Sequence, residues 1–146
     1  MTYTKQLSET LAVVATVDPQ VVNNTSASSD YVDMENFRRV IFVIAVGATD
    51  TTVDAKIQEA QDASGTGAQD LSGKAITQLS ATDDNKQAII EVAAEELSDN
   101  YTHVKCVVTA GSGSTGAYVA VIGLAGVARY EPASDLDLAS VAEIVT

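Results

Sequence analysis

The stretch NFRRVIFVIAVGATDTTVDAKIQEAQDASG, residues 36–65, decides which fold class the sequence predicts. It has two arginines near its start, continues as the apolar run Val40–Val46, and alternates between apolar and polar residues from position 53. A short apolar run between turn residues predicts a strand buried on both faces, whereas alternation predicts a strand with one solvated face. We therefore predict a hairpin over residues 37–60, with Phe37–Val46 as a central strand covered on both sides.

Similar short runs, rich in Val, Ile and Thr, flank this stretch and are separated by Gly, Ser, Asp and Asn clusters typical of turns. QAIIEVAAEEL, residues 87–97, also fits a short helix, but its β-branched residues favour a strand. Gly123 and Gly126 indicate a bulge or bend in the last predicted strand. The other predicted strands are Leu11–Val17, Lys74–Leu79, Gln87–Leu97, Tyr101–Ala110 and Ala117–Tyr130.

This pattern of short strands, with no long helix, predicts an all-β fold. Two antiparallel sheets packed as a β-sandwich, jelly-roll-like or immunoglobulin-like, would bury one face of each sheet. The 146 residues fit one domain, which we assign to residues 1–132 with residues 1–10 as a possible N-terminal arm. Residues 133–146 contain acidic residues and no basic residue, and they are expected to form an acidic C-terminal arm or a frayed tail.

The charge balance restricts the class of partner. The chain has 20 acidic and 8 basic residues and a net charge of −12. Such a surface repels phosphate backbones, so we expect no nucleic-acid partner, while solubility or attraction to a basic protein surface is favoured. No apolar run approaches the roughly 20 residues that span a bilayer, and no signal peptide is evident, so we expect no membrane partner.

His103 and Cys106 are the only histidine and the only cysteine. Side chains alternate along a strand, so these two point to opposite faces and cannot form a dyad. Cys106 shares its face with Val104 and Val108, which predicts a buried structural thiol. A single histidine also cannot supply both a triad and a second metal ligand. We expect no catalytic, cofactor-binding or metal-binding residue and no enzymatic activity.

The run GSGSTG, residues 111–116, matches the pattern G-x-G-x-x-G of dinucleotide-binding sites. That site needs a helix after the last glycine, whereas the following AYVAVIGLAGVARY is rich in β-branched residues. We predict a hairpin tip instead. The carboxylates in GATDTTVD and SATDDN are explained as turn residues, since no EF-hand spacing is present.

Arg38 and Arg39 open the predicted central strand. Because they are adjacent, they point to opposite faces and do not form a phosphate clamp. We expect one of them to pair with Glu35 or Asp33. Arg38 is also a candidate for contact with a partner.

Several stretches carry a family resemblance: DMENFRRVIFVIAVGATDTTVDAKIQEAQDASG, KAITQLSATDDNKQAIIEVAAEEL, YTHVKCVVTAG and VARYEP. Together they are similar to a family of small proteins encoded beside the major capsid protein of tailed bacteriophages and prophages. The resemblance covers roughly residues 31–132. It implies a capsid decoration, or cement, protein, several of which are β-sandwiches or jelly rolls that sit as dimers or trimers on the outside of the shell. It supplies no catalytic residues.

The resemblance thus implies a structural virion protein, made in the bacterial cytoplasm, that binds the outer surface of a tailed-phage capsid and stabilises the shell. Its expected partners are the major capsid protein lattice and further copies of itself, as a dimer or trimer. Another phage head or tail component, or a host- or carbohydrate-binding module, stays open as an alternative. The residues expected at interfaces are Tyr3, Leu7, Arg38, Tyr130, Leu136, Leu138 and Val141.

Overall fold

Strands dominate the computed structural model, which describes residues 4–146. Their β-branched and small residues suit a pleated, half-buried surface. No helix among the described residues has the length and apolar character needed to cross a membrane. Residues 4–146 contain three short 3₁₀ turns, at Leu7–Glu9, Ala94–Glu96 and Ala133–Leu136. The strands are β1 (Leu11–Val22), β2 (Thr25–Ser28), β3 (Val32–Asp33), β4 (Phe37–Thr49), β5 (Val53–Ala60), β6 (Gln69–Ala75), β7 (Gln87–Ala93), β8 (His103–Ala110) and β9 (Ala117–Ala128).

These strands form two antiparallel sheets that pack against each other. Sheet 1 has the order β1-β9-β4-β7, and sheet 2 has the order β2-β8-β5-β6, with β3 also paired to β8. Among the described residues, sheet 1 has four strands and sheet 2 has five, and the chain crosses repeatedly between them with the connectivity of a jelly roll. The predicted all-β antiparallel sandwich is therefore confirmed.

Two predicted hairpins are wrong. β4 lies in sheet 1 and β5 in sheet 2, so residues 37–60 cross from one sheet to the other. Residues 111–116 likewise connect β8 of sheet 2 to β9 of sheet 1. Turn residues indicate where a strand ends, but they do not indicate which sheet the next strand joins. The next strand joins the sheet in which its apolar side is buried.

The two sides of β4 differ in burial. Phe42 and Ile44 are fully buried between the sheets, whereas Ile41 and Val43 point outward and are partly exposed. The prediction that both sides of this strand are covered is therefore wrong for a single chain. The inward residues predicted for β5 and β8 are confirmed as buried: Val53, Ala55, Ile57, Val104, Cys106, Val108 and Ala110.

β1 continues past Asp18 and Pro19, where the sequence predicted its end, and reaches Val22. Its pairing with β9 shifts register around Pro19, which has no N–H to donate to a ladder. A second shift lies in β1 opposite Gly123, so the bulge predicted from the β9 glycines is in the neighbouring strand. Gly123 itself makes room for the core, because a β-carbon there would lie 3.0 Å from the ring of Phe42.

Residues 87–97 form strand β7 followed by the turn Ala94–Glu96, which confirms the strand over the helix. Ile90 and Val92 of β7 point into the core. The strand predicted at Lys74–Leu79 lies earlier in the chain, at Gln69–Ala75. β6 ends at Ala75, and Leu79 only makes an isolated bridge to β5.

Candidate functional site

The outer side of sheet 1 carries apolar side chains on all four strands, and we call these residues the apolar face. Val43 lies between Ile122 of β9 and Ile89 of β7 in a row that runs across the sheet. Ile89 is 61% exposed and Ile122 is 48% exposed, although such side chains are usually buried. The apolar face consists of Leu11, Val13, Thr16, Val21, Ile41, Val43, Ala45, Ile89, Tyr118, Ala120, Ile122 and Leu124.

The apolar face has a hollow beside a projecting side chain at one end and charged side chains at the other. A hollow of about 470 Å³ lies beside Tyr118, whose side chain is 49% exposed. Gly47 allows this ring to pack close to β4, because a β-carbon on Gly47 would lie 3.3 Å from the β-carbon of Tyr118. At the other end, Arg39 Nη1 lies 3.1 Å from Glu91 Oε1. The face therefore combines a projecting ring, a recess and an ion pair.

The outer side of sheet 2 is polar by contrast. Lys56 Nζ lies 2.7 Å from Asp70 Oδ2, and the Ser26 and Thr109 hydroxyl oxygens are 2.7 Å apart. Lys105 Nζ also lies 4.9 Å from the centre of the Tyr31 ring. This is the composition expected for a sheet face in water. The contrast makes the apolar face unusual within the same molecule.

The C-terminal segment lies along the free edge of β1. The Val13 N–H donates to Asp137 Oδ1 at 2.8 Å, and the Leu138 N–H donates to the Val13 carbonyl at 2.9 Å. Ala133 is fully buried in the core, while Leu138 and Val141 are half-buried. The segment thus occupies part of a strand edge that would otherwise be open to pairing with another chain.

Apolar side chains of both terminal segments are exposed near this edge. Residues 6–8 and 144–146 line one hollow, so the two segments lie side by side. Lys5 also pairs with Glu131. Four exposed side chains of these segments form what we call the terminal cluster: Leu7, Leu136, Ile144 and Val145.

The other predicted interface residues are Tyr3, Tyr130 and Arg38. Tyr3 lies outside the described residues. Tyr130 is 74% exposed. Arg38 is exposed and lines a separate hollow of about 500 Å³ together with Val127 and Arg129. A role at an interface stays a prediction for these residues.

Arg39 makes the ion pair that was predicted for this arginine pair, but with different partners. Its guanidinium lies 3.1 Å from Glu91 Oε1 on the neighbouring strand and 3.9 Å from Glu95 Oε1. The acids suggested as partners, Glu35 and Asp33, are not the ones that pair with Arg39. The Asp33 carboxylate instead accepts the Glu35 N–H at 2.9 Å. Strand pairing, rather than proximity in sequence, selects the partner.

Cys106 and His103 point to opposite sides of β8, as predicted. Cys106 is fully buried, and burial raises the pKa of its thiol to about 12. Its backbone N–H donates to Ser29 Oγ at 3.0 Å. His103 is half-buried, with Nδ1 2.8 Å from Thr102 Oγ1. The thiol is thus held as a neutral core group.

Cys106 is expected to react slowly with a thiol reagent in the native state, because the thiolate is both buried and disfavoured. Labelling at pH 8 should become fast only in denaturant. Cys106→Ser should lower the free energy of unfolding by about 1–3 kcal/mol, since it buries a hydroxyl in an apolar core. Stoichiometric native labelling within seconds would contradict the inward orientation.

The loop GSGSTG is folded around a carboxylate of its own chain. Asp50 accepts the Thr115 N–H at 2.7 Å and the Gly116 N–H at 2.8 Å, and these bonds lower its pKa. Asn23 exchanges two hydrogen bonds of 3.0 Å with the backbone of Gly113. β9 follows the loop where a dinucleotide site would have a helix. The glycine-rich loop thus serves as a connection between the sheets.

Glu59 is a buried carboxylate that the sequence reasoning missed. It is 1% exposed and accepts the Ser98 N–H at 2.8 Å, the Ser98 hydroxyl at 2.5 Å and the Gln69 amide at 2.7 Å. Burial raises its pKa, but the bonds from Ser98 and Gln69 outweigh burial, so the pKa lies below its ordinary value. A signal was available, because Glu59 continues the inward series Val53, Ala55, Ile57.

Comparison with known proteins gives a limited result. No protein-family model matches the chain, and no curated protein matches it. Among solved structures, the chain shows a distant similarity to a viral structure. It is the structure of infectious bursal disease virus Gx strain, with 10% sequence identity and a TM-score of 0.38. The match covers 85% of this chain and 33% of that chain, so the chain spans about a third of its length.

Within residues 4–146, no group of three or more His, Cys, Asp or Glu side chains is placed to hold a metal ion. The carboxylates instead bond to the protein itself. Asp62 accepts the N–H groups of Ser64 and Thr66, and Asp83 accepts that of Ser80. Hydrogen bonds from the Thr66 side chain and from the Thr66 and Ser64 N–H groups lower the pKa of Asp62, and bonds from Ser80 lower the pKa of Asp83.

Acidification is expected to destabilise the fold below about pH 4–5, where free carboxyl groups protonate. Glu59 and Asp70 have lowered pKa values in the folded protein, so they stabilise it above the unfolded pKa. That contribution is lost as the pH falls through the folded pKa. Urea unfolding from pH 6 to pH 3 should show a falling midpoint, and Glu59→Gln should reduce the slope. Glu35→Gln, the same charge change at an exposed position, serves as the control, and equal slopes in both variants would contradict this role of Glu59.

Proposed function

We propose that this protein binds the exterior of a tailed-phage capsid and stabilises the assembled shell. The observation that carries the proposal is the terminal cluster, an exposed apolar surface beside the β1 edge of a jelly-roll body. The family resemblance over residues 31–132, which hold β3–β9 and most of the two sheets, supports the same role.

The terminal cluster is suited to contact with a neighbouring protein. Leu7 is 73% exposed and Val145 is 83% exposed, although both are apolar. Exposed apolar side chains that lie together mark contact surfaces more often than scattered single residues do. Covering this cluster and the remaining β1 edge with coat protein would bury both features at once.

The net charge of −12 sets a further requirement on the partner. A negative surface is attracted to positive or neutral protein surfaces and is repelled by the phosphates of nucleic acid. The exterior of a shell presents protein and not nucleic acid, since the packaged genome lies inside. Binding is therefore expected to weaken as salt is raised if the coat surface is basic.

Stabilisation follows from linkage between binding and assembly. A ligand that binds the assembled lattice, but not the free coat subunit, stabilises the lattice by about 2.7 kcal/mol per site at a hundredfold excess over Kd. Because a shell repeats the site many times, a modest affinity gives a large effect on the whole particle. Contacts that span neighbouring coat subunits would make free subunits poor competitors.

The experiment mixes the purified protein with undecorated, expanded shells and counts bound copies at increasing concentration. We expect saturation at a copy number that the lattice symmetry allows, and a higher temperature of shell disruption at saturation. Saturation without a higher disruption temperature would contradict the stabilising role. Binding that does not saturate would contradict a lattice site.

Paired variants locate the contact. Leu7→Lys combined with Val145→Lys adds two charges to the terminal cluster and should abolish shell binding, because the ammonium groups would be desolvated without partners. Ala63→Lys combined with Ala68→Lys adds the same charge in the exposed β5–β6 loop and is the matched control. Equal loss of binding in both double variants would show a general charge effect and contradict the terminal contact.

A further inference from the structure

We propose that the apolar face pairs with the apolar face of a second copy of this chain and forms a two-fold symmetric dimer. This pairing requires no shell, so it stands independently of the proposed function. It also accounts for β4, whose outward residues Ile41 and Val43 are apolar yet partly exposed in one chain. In the dimer, the run Val40–Val46 is covered on both sides.

The area of the apolar face is sufficient for a specific dimer. Four strands about 4.8 Å apart give a width of about 19 Å, and nine residues of β4 from Arg39 to Gly47 give a length of about 30 Å. The projected area is therefore roughly 600 Å² on each copy, or about 1,200 Å² in total, above the ~1,000 Å² that a specific interface needs. Two sheets of this kind pack face to face about 10 Å apart.

The charge distribution also favours a second copy as the occupant. Two chains of net charge −12 repel each other and can only approach where carboxylates are few. Carboxylates are few on the apolar face: Glu91 is paired with Arg39, and Asp18 is exposed in β1 between Thr16 and Val21. Many other acids lie on loops and on sheet 2, such as Asp62, Asp70 and Asp83.

The shape of the apolar face suits a two-fold interface. Such an interface joins the same surface of both copies, so a projection and a recess must lie on the same face. Tyr118 projects with 49% of its surface exposed, and the hollow of about 470 Å³ lies beside it, lined by Val21, Ala45 and Ala120. Aromatic side chains of this kind are enriched at the centres of protein interfaces.

The test measures the mass of the pure protein by sedimentation equilibrium, without shells, from micromolar to near-millimolar concentration. We expect a species of twice the 15.1 kDa chain mass. Ile122→Lys should raise the dimer Kd by about 100-fold or more, because each copy would bury an ammonium group without a partner. In the single chain Ile122 is 48% exposed, so the variant should fold.

Thr109→Lys is the matched control, since Thr109 lies on the central strand of sheet 2 and faces the other outer side. It adds the same charge and should leave the dimer intact. Ile89→Lys, at 61% exposure on the edge strand β7, is a second test of the apolar face if Ile122→Lys fails to fold. The circular dichroism spectrum of each variant establishes folding before its mass is interpreted.

Several results would overturn the proposal. They are a monomer at every concentration, a trimer, or a dimer that survives both Ile122→Lys and Ile89→Lys. A monomeric wild type whose shell binding is lost in Ile122→Lys would assign the apolar face to coat protein instead. A dimer that binds no shell would leave the proposal intact and refute the proposed function.

Discussion

Phe42→Ala is expected to lower the free energy of unfolding by about 3–5 kcal/mol, because it removes a fully buried ring from the centre of the sandwich. The ring lies against β9 where Gly123 has no β-carbon, and Ala15 of β1 approaches the same place. Neither small residue can fill the space that the ring leaves. Equilibrium unfolding in urea, with the slope against denaturant unchanged, measures the loss.

Val43→Ala is the control for this prediction, since Val43 is the next residue of β4 and faces outward. At low protein concentration it should cost about 1 kcal/mol or less, as for most partly exposed positions. Pairing of the apolar face would make the cost of Val43→Ala rise with protein concentration, while the intrinsic cost of Phe42→Ala within one chain would not. Equal costs for the two variants at high dilution would contradict the assignment of inner and outer sides.

Removal of residues 133–146 is expected to lower the free energy of unfolding by about 2–4 kcal/mol. The truncation removes buried Ala133 and both hydrogen bonds that Asp137 and Leu138 make with Val13. It also exposes the edge of β1, so aggregation should increase as the truncated protein is concentrated. Urea unfolding and light scattering of the truncated and full chains measure the two effects.

Asp137→Ala measures the contribution of the contact with the β1 edge apart from that of the rest of residues 133–146. It removes the acceptor of the Val13 N–H and should reproduce about 1 kcal/mol of the loss. Asp135→Ala changes an exposed carboxylate in the 3₁₀ turn that directly precedes Asp137 and should be nearly neutral. A truncated protein as stable as the full chain would show that this segment contributes nothing to the fold.

The strands with regular alternation were predictable from the sequence, because burial of one side leaves a period of two. Val53, Ala55 and Ile57 of β5 and Val104, Cys106 and Val108 of β8 are buried as expected. Which strands pair with each other was not predictable from this alternation. β4 and β5 follow each other with a short connection, yet they join different sheets, since their partners are the distant strands β9 and β8.

The candidate sites were only partly predictable for the same reason. The apolar run of β4 correctly indicated that both sides of this strand are apolar. It contains nothing that identifies a partner for the outward side. The apolar face needs β1, β4, β7 and β9 side by side before it exists as a surface. Leu7 and Leu136 were chosen because they lie near the chain ends, and the structure places both in the terminal cluster. Glu59 could have been found, since a carboxylate in phase with buried residues needs donors.

The adjacency of residues 6–8 and 144–146 has a consequence for engineering. A short Gly/Ser peptide could join these two segments, and the chain could then be reopened in the exposed loop at residues 62–68 to give a circular permutant. The jelly-roll topology would be preserved while the new ends moved to the β5–β6 loop. A peptide fused at these new ends would lie away from the β1 edge. The molecule would then offer two alternative places for fusing a peptide, the original ends and the β5–β6 loop.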